Sequence, residues 1–367
     1  MAVLNCWCSY LPRSNGSRQR YNSIRSCLLP FPVEKANYHR QLSVAIEAVQ
    51  RACCLCVDVK RSLLSNDRRI LEKTDQTPVT VADFGVQALI SLELEREFPT
   101  IPLVAEEDSA FLRSKSYSKM GCDGNNVLVD AIFDAVSNKI DGQDKNFNTD
   151  DVLRAIDRGG KDASSFNEQP ATYWVLDPID GTKGFLKGSD ALYVVGLALV
   201  VEGEIVLGVM GCPNWQNNPL NINYNNAQTG VIMVAHLGCG TWTKSISFDG
   251  GNSVNSLDNI WKRCFVDSCT ALQKARFCIP ESQTWDLIPL SNEFGYTTDN
   301  LDPTNDGKRS RTAWDHAVGV ICVHEAGGQV SDWDGNQLNL VADIEGRRII
   351  FPSGGRNIVK EGHLIIM

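Results

Sequence analysis

The chain has 367 residues, which is enough for a large buried core and, as a prior from length alone, for two domains. Its composition, 43% hydrophobic and 22% charged, is that of a globular protein and argues against a disordered or fibrous chain. The net charge of −9 argues against nucleic acid as a partner, although metal ions would still let an acidic enzyme bind phosphates. No apolar run approaches the roughly 20 residues of a membrane span, so no membrane partner is predicted.

Residues 1–35 are rich in arginine and serine, and the first acidic residue is Glu34. This composition is typical of an organelle transit peptide, for a mitochondrion or a chloroplast, and a disordered basic tail is the alternative. The 13 cysteines have no regular spacing and follow no secretory segment, so they are predicted to be reduced thiols. Cys53, Cys54 and Cys56, the densest group, are interpreted as small buried hydrophobes because no nearby histidine completes a zinc set.

Apolar residues recur at helical spacing from about residue 36 to 64, which predicts one long amphipathic helix. A second helix is predicted after the segment Thr-Pro-Val-Thr-Val-Ala-Asp83 and ends near Phe98. Asp83 falls at the start of this helix, where a carboxylate is commonly a cap or a partner of the helix dipole.

The next predicted strand, residues 101–105, runs directly into Glu106, Glu107 and Asp108. Adjacent like charges at a strand end are costly unless a cation or solvent screens them. These acids are therefore a first indication of a metal site.

The stretch from Tyr173 to Phe185 carries a second group of acids. Its first four residues predict a buried strand that is stopped by Asp177, Pro178, Asp180 and Gly181. Proline restricts the backbone and Gly181 permits a tight return, so the two carboxylates can converge. Magnesium prefers such oxygen ligands, although Asp-Pro-x-Asp-Gly is also an ordinary polar turn.

The remaining elements are predicted from periodicity and turn residues. A helix is predicted to open at Trp314-Asp315-His316 and to end at 326–328, which puts Asp315 at its N-terminus. The other predictions are a polar loop at 113–125, helices at 127–136 and 150–157, hairpins at 192–210 and 231–242, a domain boundary near 210, a hairpin turn at 334–336 and a last strand at 348–351.

Four ordered motifs resemble the inositol monophosphatase superfamily of Mg²⁺-dependent, lithium-sensitive phosphomonoesterases. They are Pro-Val-Thr-Val-Ala-Asp83, Val-Ala-Glu106-Glu107, Trp-Val-Leu-Asp177-Pro-Ile-Asp180-Gly-Thr182, and Trp-Asp315-His-Ala-Val-Gly followed by Glu-Ala-Gly-Gly328. The resemblance implies an α/β fold, a layered αβαβα sandwich of two subdomains, with a metal-binding subdomain at 36–212 and a second one at 213–367.

Two segments resemble one branch of that superfamily, the 3′(2′),5′-bisphosphate nucleotidases. They are Gly-Thr182-Lys-Gly-Phe-Leu186 and residues 149–157, the latter as in plant members. The implied reaction is hydrolysis of the small-molecule nucleotide 3′-phosphoadenosine 5′-phosphate (PAP) to AMP and phosphate. The alternatives are an inositol phosphate phosphatase and a catalytically silent nucleotide-binding paralogue.

The resemblance also implies site roles by position. The metal ligands would be Glu106, Asp177, the Ile179 carbonyl, Asp180 and Asp315, holding two or three Mg²⁺ ions. Asp83 and Thr182 would be the catalytic, water-activating pair. Gly181, Thr182 and Asp315 would contact the substrate.

One part of the chain departs from the family pattern. Roughly thirty residues before the Trp-Asp motif, the family has a serine, a lysine and a following strand that contact the nucleotide, and residues 295–311 contain no counterpart. Where nucleotidases often carry a histidine, this chain has Glu281 to Trp285. The second subdomain is therefore expected to be truncated around 292–312, which puts adenosine recognition in doubt.

Overall fold

The computed structural model describes residues 29–65, 70–72, 78–117, 127–140, 147–160, 172–186, 192–215, 229–248, 260–266 and 313–330. The helices are α1 (His39–Ser65), α2 (Val81–Glu97), α3 (Ala110–Tyr117), α4 (Val127–Ser137), α5 (Thr149–Gly159), α6 (Thr182–Leu186) and α7 (Ala313–Glu325), with a 3₁₀ turn at Val33–Lys35. The strands are β1 (Ile70–Glu72), β2 (Pro78–Thr80), β3 (Leu103–Ala105), β4 (Thr172–Asp180), β5 (Val194–Val201), β6 (Glu204–Cys212), β7 (Thr229–His236), β8 (Gly240–Ser247) and β9 (Lys262–Cys264).

Seven strands form one mixed sheet in the order β3-β4-β5-β6-β7-β8-β9. Only β3 and β4 are parallel to each other within it, and every later neighbour pair is antiparallel. β1 and β2 form a separate antiparallel pair. Because β3 ends at Ala105, which pairs with Leu176, the residue that follows β3 comes beside Asp177 within β4.

The sheet is covered on both faces. On one face, Trp174 and Leu176 of β4 pack in the main core with α1, α2, α4 and α5, and α2 is buried along most of its length. On the other face, Val104 and Val175 pack against Trp314 and Ala317 of α7. The alternation of side chains along each strand produces this division. The predicted layered α/β sandwich is confirmed, whereas the division into two subdomains stays a prediction.

Most predicted elements are present, with two corrections. The predicted loop at 113–125 begins as helix α3, because the Asp108 carboxylate accepts the Ala110 N–H and so caps a helix that the polar residues had concealed. The strand predicted to stop at Asp177 continues to Asp180 as β4, with an irregular register between the two aspartates that bends it without ending its pairing.

Several predictions fall on residues that lie outside the described part. These are residues 1–28 of the transit segment, the truncation at 292–312, the hairpin turn at 334–336 and the strand at 348–351. Just beyond residue 28, Phe31 packs in the main core. None of the described helices has the length and apolar character that crossing a bilayer requires.

The described cysteines are thiols rather than disulfides, as predicted. Cys53 and Cys56 are buried between α1 and the sheet, and Cys54 is half-buried. Burial raises the pKa of the Cys53 and Cys56 thiols well above the usual value, so both stay protonated. These residues pack as small hydrophobes.

Candidate active site

The parallel register of β3 and β4 brings two predicted ligands together. Ala105 is paired with Leu176, and the next residues in the two strands' sequences are Glu106 and Asp177. Neighbouring strands are about 4.8 Å apart, so continuing this register places the backbone of Glu106 beside that of Asp177. Asp177 is buried and Glu106 is half-buried. The backbones of two acidic residues 71 positions apart in sequence are thus brought side by side by the strand pairing.

Helix α7 covers the face of the sheet on which Asp177 lies. Asp177 is paired with Gly196 of β5, and a Cβ built on Gly196 would lie 3.9 Å from Asp177 Cβ and 2.9 Å from Val318 Cγ1. Asp315 is in the first turn of α7, one helical turn before Val318. The backbone of Asp315 therefore lies over the same part of the sheet as Asp177.

The chain turns sharply after Asp180. Asp180 pairs with Val194, and Gly181 follows with a φ of 90°, a left-handed value that favours glycine. A Cβ there would also lie 3.1 Å from the Leu192 carbonyl oxygen. Thr182 then begins α6, and its hydroxyl donates to the Ile179 carbonyl at 3.2 Å. That carbonyl keeps a second lone pair for another partner.

Asp83 approaches the same turn from the opposite face of the sheet. It is 4% exposed in the first turn of α2, directly after β2. β2 contacts α6, so the strand that leads to Asp83 lies beside the helix that begins with Thr182. The charge of Asp83 is a secondary cause of the raised pKa of Cys56 on α1, after burial.

Asp180 has an electrostatic neighbour of its own. Cys212 ends β6, and burial together with the Asp180 charge raises the pKa of its thiol to about 12. The thiol is therefore neutral at pH 7 and adds no second negative charge beside the carboxylate.

The described side chains do not by themselves form the predicted ligand set. Within the described part of the chain, no three His, Cys, Asp or Glu side chains form a group that could hold a metal ion. Asp315 is described by its backbone alone. The backbone placement brings the acids to one end of β3 and β4, and the ligand roles of Glu106, Asp177, Ile179, Asp180 and Asp315 stay predictions.

Gln87 is part of this site, although no sequence pattern predicted it. Its side-chain amide is fully buried in α2, accepts the Glu107 N–H at 2.9 Å and donates to the Glu107 carbonyl at 2.5 Å. A third bond runs to the Ile156 carbonyl at 2.8 Å. The one available signal was a glutamine in an otherwise apolar helix face, which indicates a buried partner of unknown identity.

The fold and the acids define a class of protein: an α/β sandwich with acidic residues after β3, within the last part of β4 and in the first turn of α7. The profile of the Inositol monophosphatase family matches residues 37–256, which is more than half of the chain. The chain belongs to this family.

Curated relatives match along most of the sequence. An Arabidopsis thaliana protein named "Putative 3′(2′),5′-bisphosphate nucleotidase, mitochondrial" is 52% identical over 384 residues, covering 96% of this chain and 91% of that protein. A 3′(2′),5′-bisphosphate nucleotidase of Oryza sativa is 35% identical over 323 residues, 83% of this chain and 86% of that protein. The 3′,5′-bisphosphate nucleotidase 2 of Arabidopsis thaliana is 34% identical over 331 residues, 83% of this chain and 89% of that protein.

Proposed function

We propose that this chain is a Mg²⁺-dependent 3′(2′),5′-bisphosphate nucleotidase that hydrolyses the 3′-phosphate of PAP to give AMP and inorganic phosphate. The observation that supports the chemistry is the parallel pairing of Ala105 with Leu176, because the next residues in the two segments are Glu106 and Asp177. The names of the relatives support the substrate class, a small-molecule bisphosphate nucleotide.

The oxygen donors at this edge fit magnesium. Mg²⁺ in proteins is held by one or two carboxylates with water and substrate phosphate, and Glu106 and Asp177 would supply two carboxylates from neighbouring segments of backbone. Asp180, Asp315 and the second lone pair of the Ile179 carbonyl would complete the set for two or three ions. Bound metal would polarise the phosphate and lower the pKa of a water molecule.

The protein's own groups would manage the proton of the attacking water. In the structure the Thr182 hydroxyl donates to the Ile179 carbonyl, so it must turn toward Asp83 for catalysis. It then accepts the proton of the water while passing its own to the Asp83 carboxylate. The water oxygen bonds to phosphorus as the bond to the 3′ oxygen breaks, and the departing 3′ oxygen takes up a proton from solvent to become the hydroxyl of AMP. Asp83 then returns its proton to solvent, and no phosphoenzyme is formed. Gly181 is exposed, and the phosphate would lie beside Thr182 at this turn.

Phosphate release tests the proposal. Purified protein would be assayed with Mg²⁺ on PAP and on inositol 1-phosphate side by side. We expect PAP to be turned over with the higher kcat/KM, and turnover of inositol 1-phosphate alone would overturn the nucleotide assignment. Nucleotide binding by calorimetry without turnover of either compound would instead identify a silent paralogue.

The proposed location is an organelle, and of the two organelles predicted we propose the mitochondrion, as in the name of the relative from Arabidopsis thaliana. Fusing residues 1–35 to a fluorescent protein in plant cells tests this, with mitochondrial fluorescence expected and a chloroplast or cytosolic signal contradicting it.

A further inference from the structure

The loop that follows β3 is held on both sides of Glu106. Before it, Ala105 is fixed by its pairing with Leu176. After it, both backbone polar groups of Glu107 are bound by the Gln87 amide. The backbone of Glu106 thus lies between two anchored neighbours, and its position relative to Asp177 is set before any ligand binds.

A second buried group holds the far end of the loop. Asp157, near the end of α5, is 2% exposed and accepts the Ser109 N–H at 2.9 Å and the Ser109 hydroxyl at 2.8 Å. Arg113 of α3 reaches from the surface, donating to Asp157 Oδ2 at 3.1 Å and to the Ser109 hydroxyl at 2.7 Å. This places a paired buried carboxylate under the loop, where its role is to bind backbone rather than metal.

The end of α5 can reach the loop because it ends in two glycines. A Cβ on Gly160 would lie 2.2 Å from the Glu107 carbonyl oxygen and 2.9 Å from Asp108 Cα. A Cβ on Gly159 would lie 2.9 Å from Ala105 Cβ. The close approach lets Gln87 bond to Glu107 and Ile156 at once, which joins α2, α5 and the loop.

We propose that Gln87 and Asp157 are positioning residues that hold Glu106 beside Asp177 for metal binding. Neither touches the substrate. The inference rests on the proposed function, because it takes Glu106 as a Mg²⁺ ligand. Groups that orient metal ligands typically change metal affinity by about 10- to 100-fold when they are removed.

The decisive variant is Gln87→Met, which keeps the side-chain length and removes all three hydrogen bonds. We expect the Mg²⁺ concentration for half-maximal activity to rise about tenfold or more, while kcat at saturating Mg²⁺ stays within a few-fold of wild type. In the metal-free protein, the Ser109 amide should exchange with deuterium faster although its own acceptor, Asp157, is untouched. Gln50→Met, at a half-buried position of α1, is the matched control and should change neither quantity.

The variant Asp157→Asn uses the same two measurements with a milder change, because an amide can still accept the Ser109 N–H. If Gln87→Met fails to fold, Asp157→Asn tests the inference by itself. We expect it to raise the Mg²⁺ concentration for half-maximal activity by less than Gln87→Met does. An unchanged Mg²⁺ requirement in both variants would overturn the inference, whatever their melting temperatures. Calorimetric titration of Mg²⁺ into each protein separates this result from failure of the proposed function, in which wild type binds the metal but releases no phosphate.

Discussion

Tyr193 is a fully buried side chain whose hydroxyl has no hydrogen-bond partner within the described residues. Its ring packs edge-on against Phe185 at 4.9 Å, and Lys60 Nζ lies 4.9 Å from the centre of the ring. Burial raises the pKa of the phenol, so the group is neutral and the ring provides the contacts. The hydroxyl is the part of this residue that costs stability.

Replacing Tyr193 by phenylalanine should therefore be harmless to the fold. Removing a buried hydroxyl without a partner relieves a desolvation cost of about 1–3 kcal/mol, offset by the small void it leaves. We expect the free energy of unfolding, measured with urea, to stay unchanged or to rise by about 1 kcal/mol. A free energy of unfolding that falls by more than about 1 kcal/mol would show that the hydroxyl has a hydrogen-bond partner.

The role of Asp180 as a ligand can be tested with one isosteric change. Asp180→Asn removes a charge from a half-buried turn but keeps the side-chain shape and the pairing with Val194. We expect kcat/KM to fall by more than about 100-fold, since even groups behind a metal ligand contribute 10- to 100-fold. Asp134→Asn, on the exposed surface of α4, is the control, and equal activity in the two variants would refute the role.

Among individual residues, the sequence pattern indicates the acidic residues of the candidate site more readily than the side chains that hold their backbone in place. Asp177 and Glu106 were predicted because acids directly after apolar runs are a local pattern. Gln87 bonds a residue 20 positions away, and Asp157 bonds one 48 positions away. Nothing in the spacing of those residues predicts such contacts, because they depend on how α2 and α5 pack.

Among the elements, helix α7 packs closely on the sheet because two strands carry glycine where they meet it. A Cβ on Gly208 of β6 would lie 2.6 Å from Ile321 Cγ2 and 3.2 Å from Val318 Cγ2. A Cβ on Gly196 of β5 would likewise lie 2.9 Å from Val318 Cγ1. The helix that carries Asp315 can therefore lie directly on the strands, and its distance from Asp177 is set by these two glycines.

Gly208→Ala should push α7 away from the sheet. Overpacking a close contact costs about 1–3 kcal/mol, and moving Asp315 should also raise the Mg²⁺ concentration needed for half-maximal activity. Gly319→Ala is the control, since a Cβ there meets nothing within 4 Å and alanine favours helix by about 0.5–1 kcal/mol. Thermal unfolding with a Mg²⁺ titration measures both effects, and equal results for the two variants would contradict the packing argument.

Sequence periodicity predicted the helices well and the packing between elements poorly. The 3.6-residue repeat predicted a helix from about residue 36 to 64, and α1 runs His39–Ser65. A glycine inside a strand, however, looks the same whether it meets solvent, a ligand or a helix. The contact of Gly208 with α7 joins residues more than 100 positions apart, so only the structure shows it.

For the whole molecule, hairpin signals predicted which consecutive strands pair, but not that the pairs join in one seven-stranded sheet. The β5–β6 and β7–β8 pairs follow from short turns between apolar runs. The pairing of β6 with β7 crosses an asparagine-rich segment that was interpreted as a boundary, and it adds β7–β9 to the sheet that carries the site. Strand order across long connections depends on tertiary packing, which local patterns do not encode.

His236 connects distant parts of this molecule and gives its stability a pH dependence. The ring is buried at the end of β7, beside Phe31 and Tyr38 from the start of the folded part. Nε2 is 3.4 Å from the Tyr38 N–H and Nδ1 is 2.9 Å from the Leu237 carbonyl, which fits a neutral ring with its proton on Nδ1. Protonation would remove the acceptor that Tyr38 uses.

Burial lowers the pKa of His236, against smaller opposing effects of the Leu237 carbonyl and the Glu325 charge. The unfolded chain, with an ordinary pKa near 6.5, then binds this proton more readily than the folded chain. Stability is therefore kept above about pH 6.5 and is lost as the pH falls toward the folded pKa, by at most about 1.4 kcal/mol per pH unit for one proton. Urea unfolding between pH 7.5 and 5 should show a shallower loss in His236→Gln than in wild type. The exposed His39→Gln on α1 should follow wild type, and identical slopes in all three proteins would mean that His236 is not the titrating group.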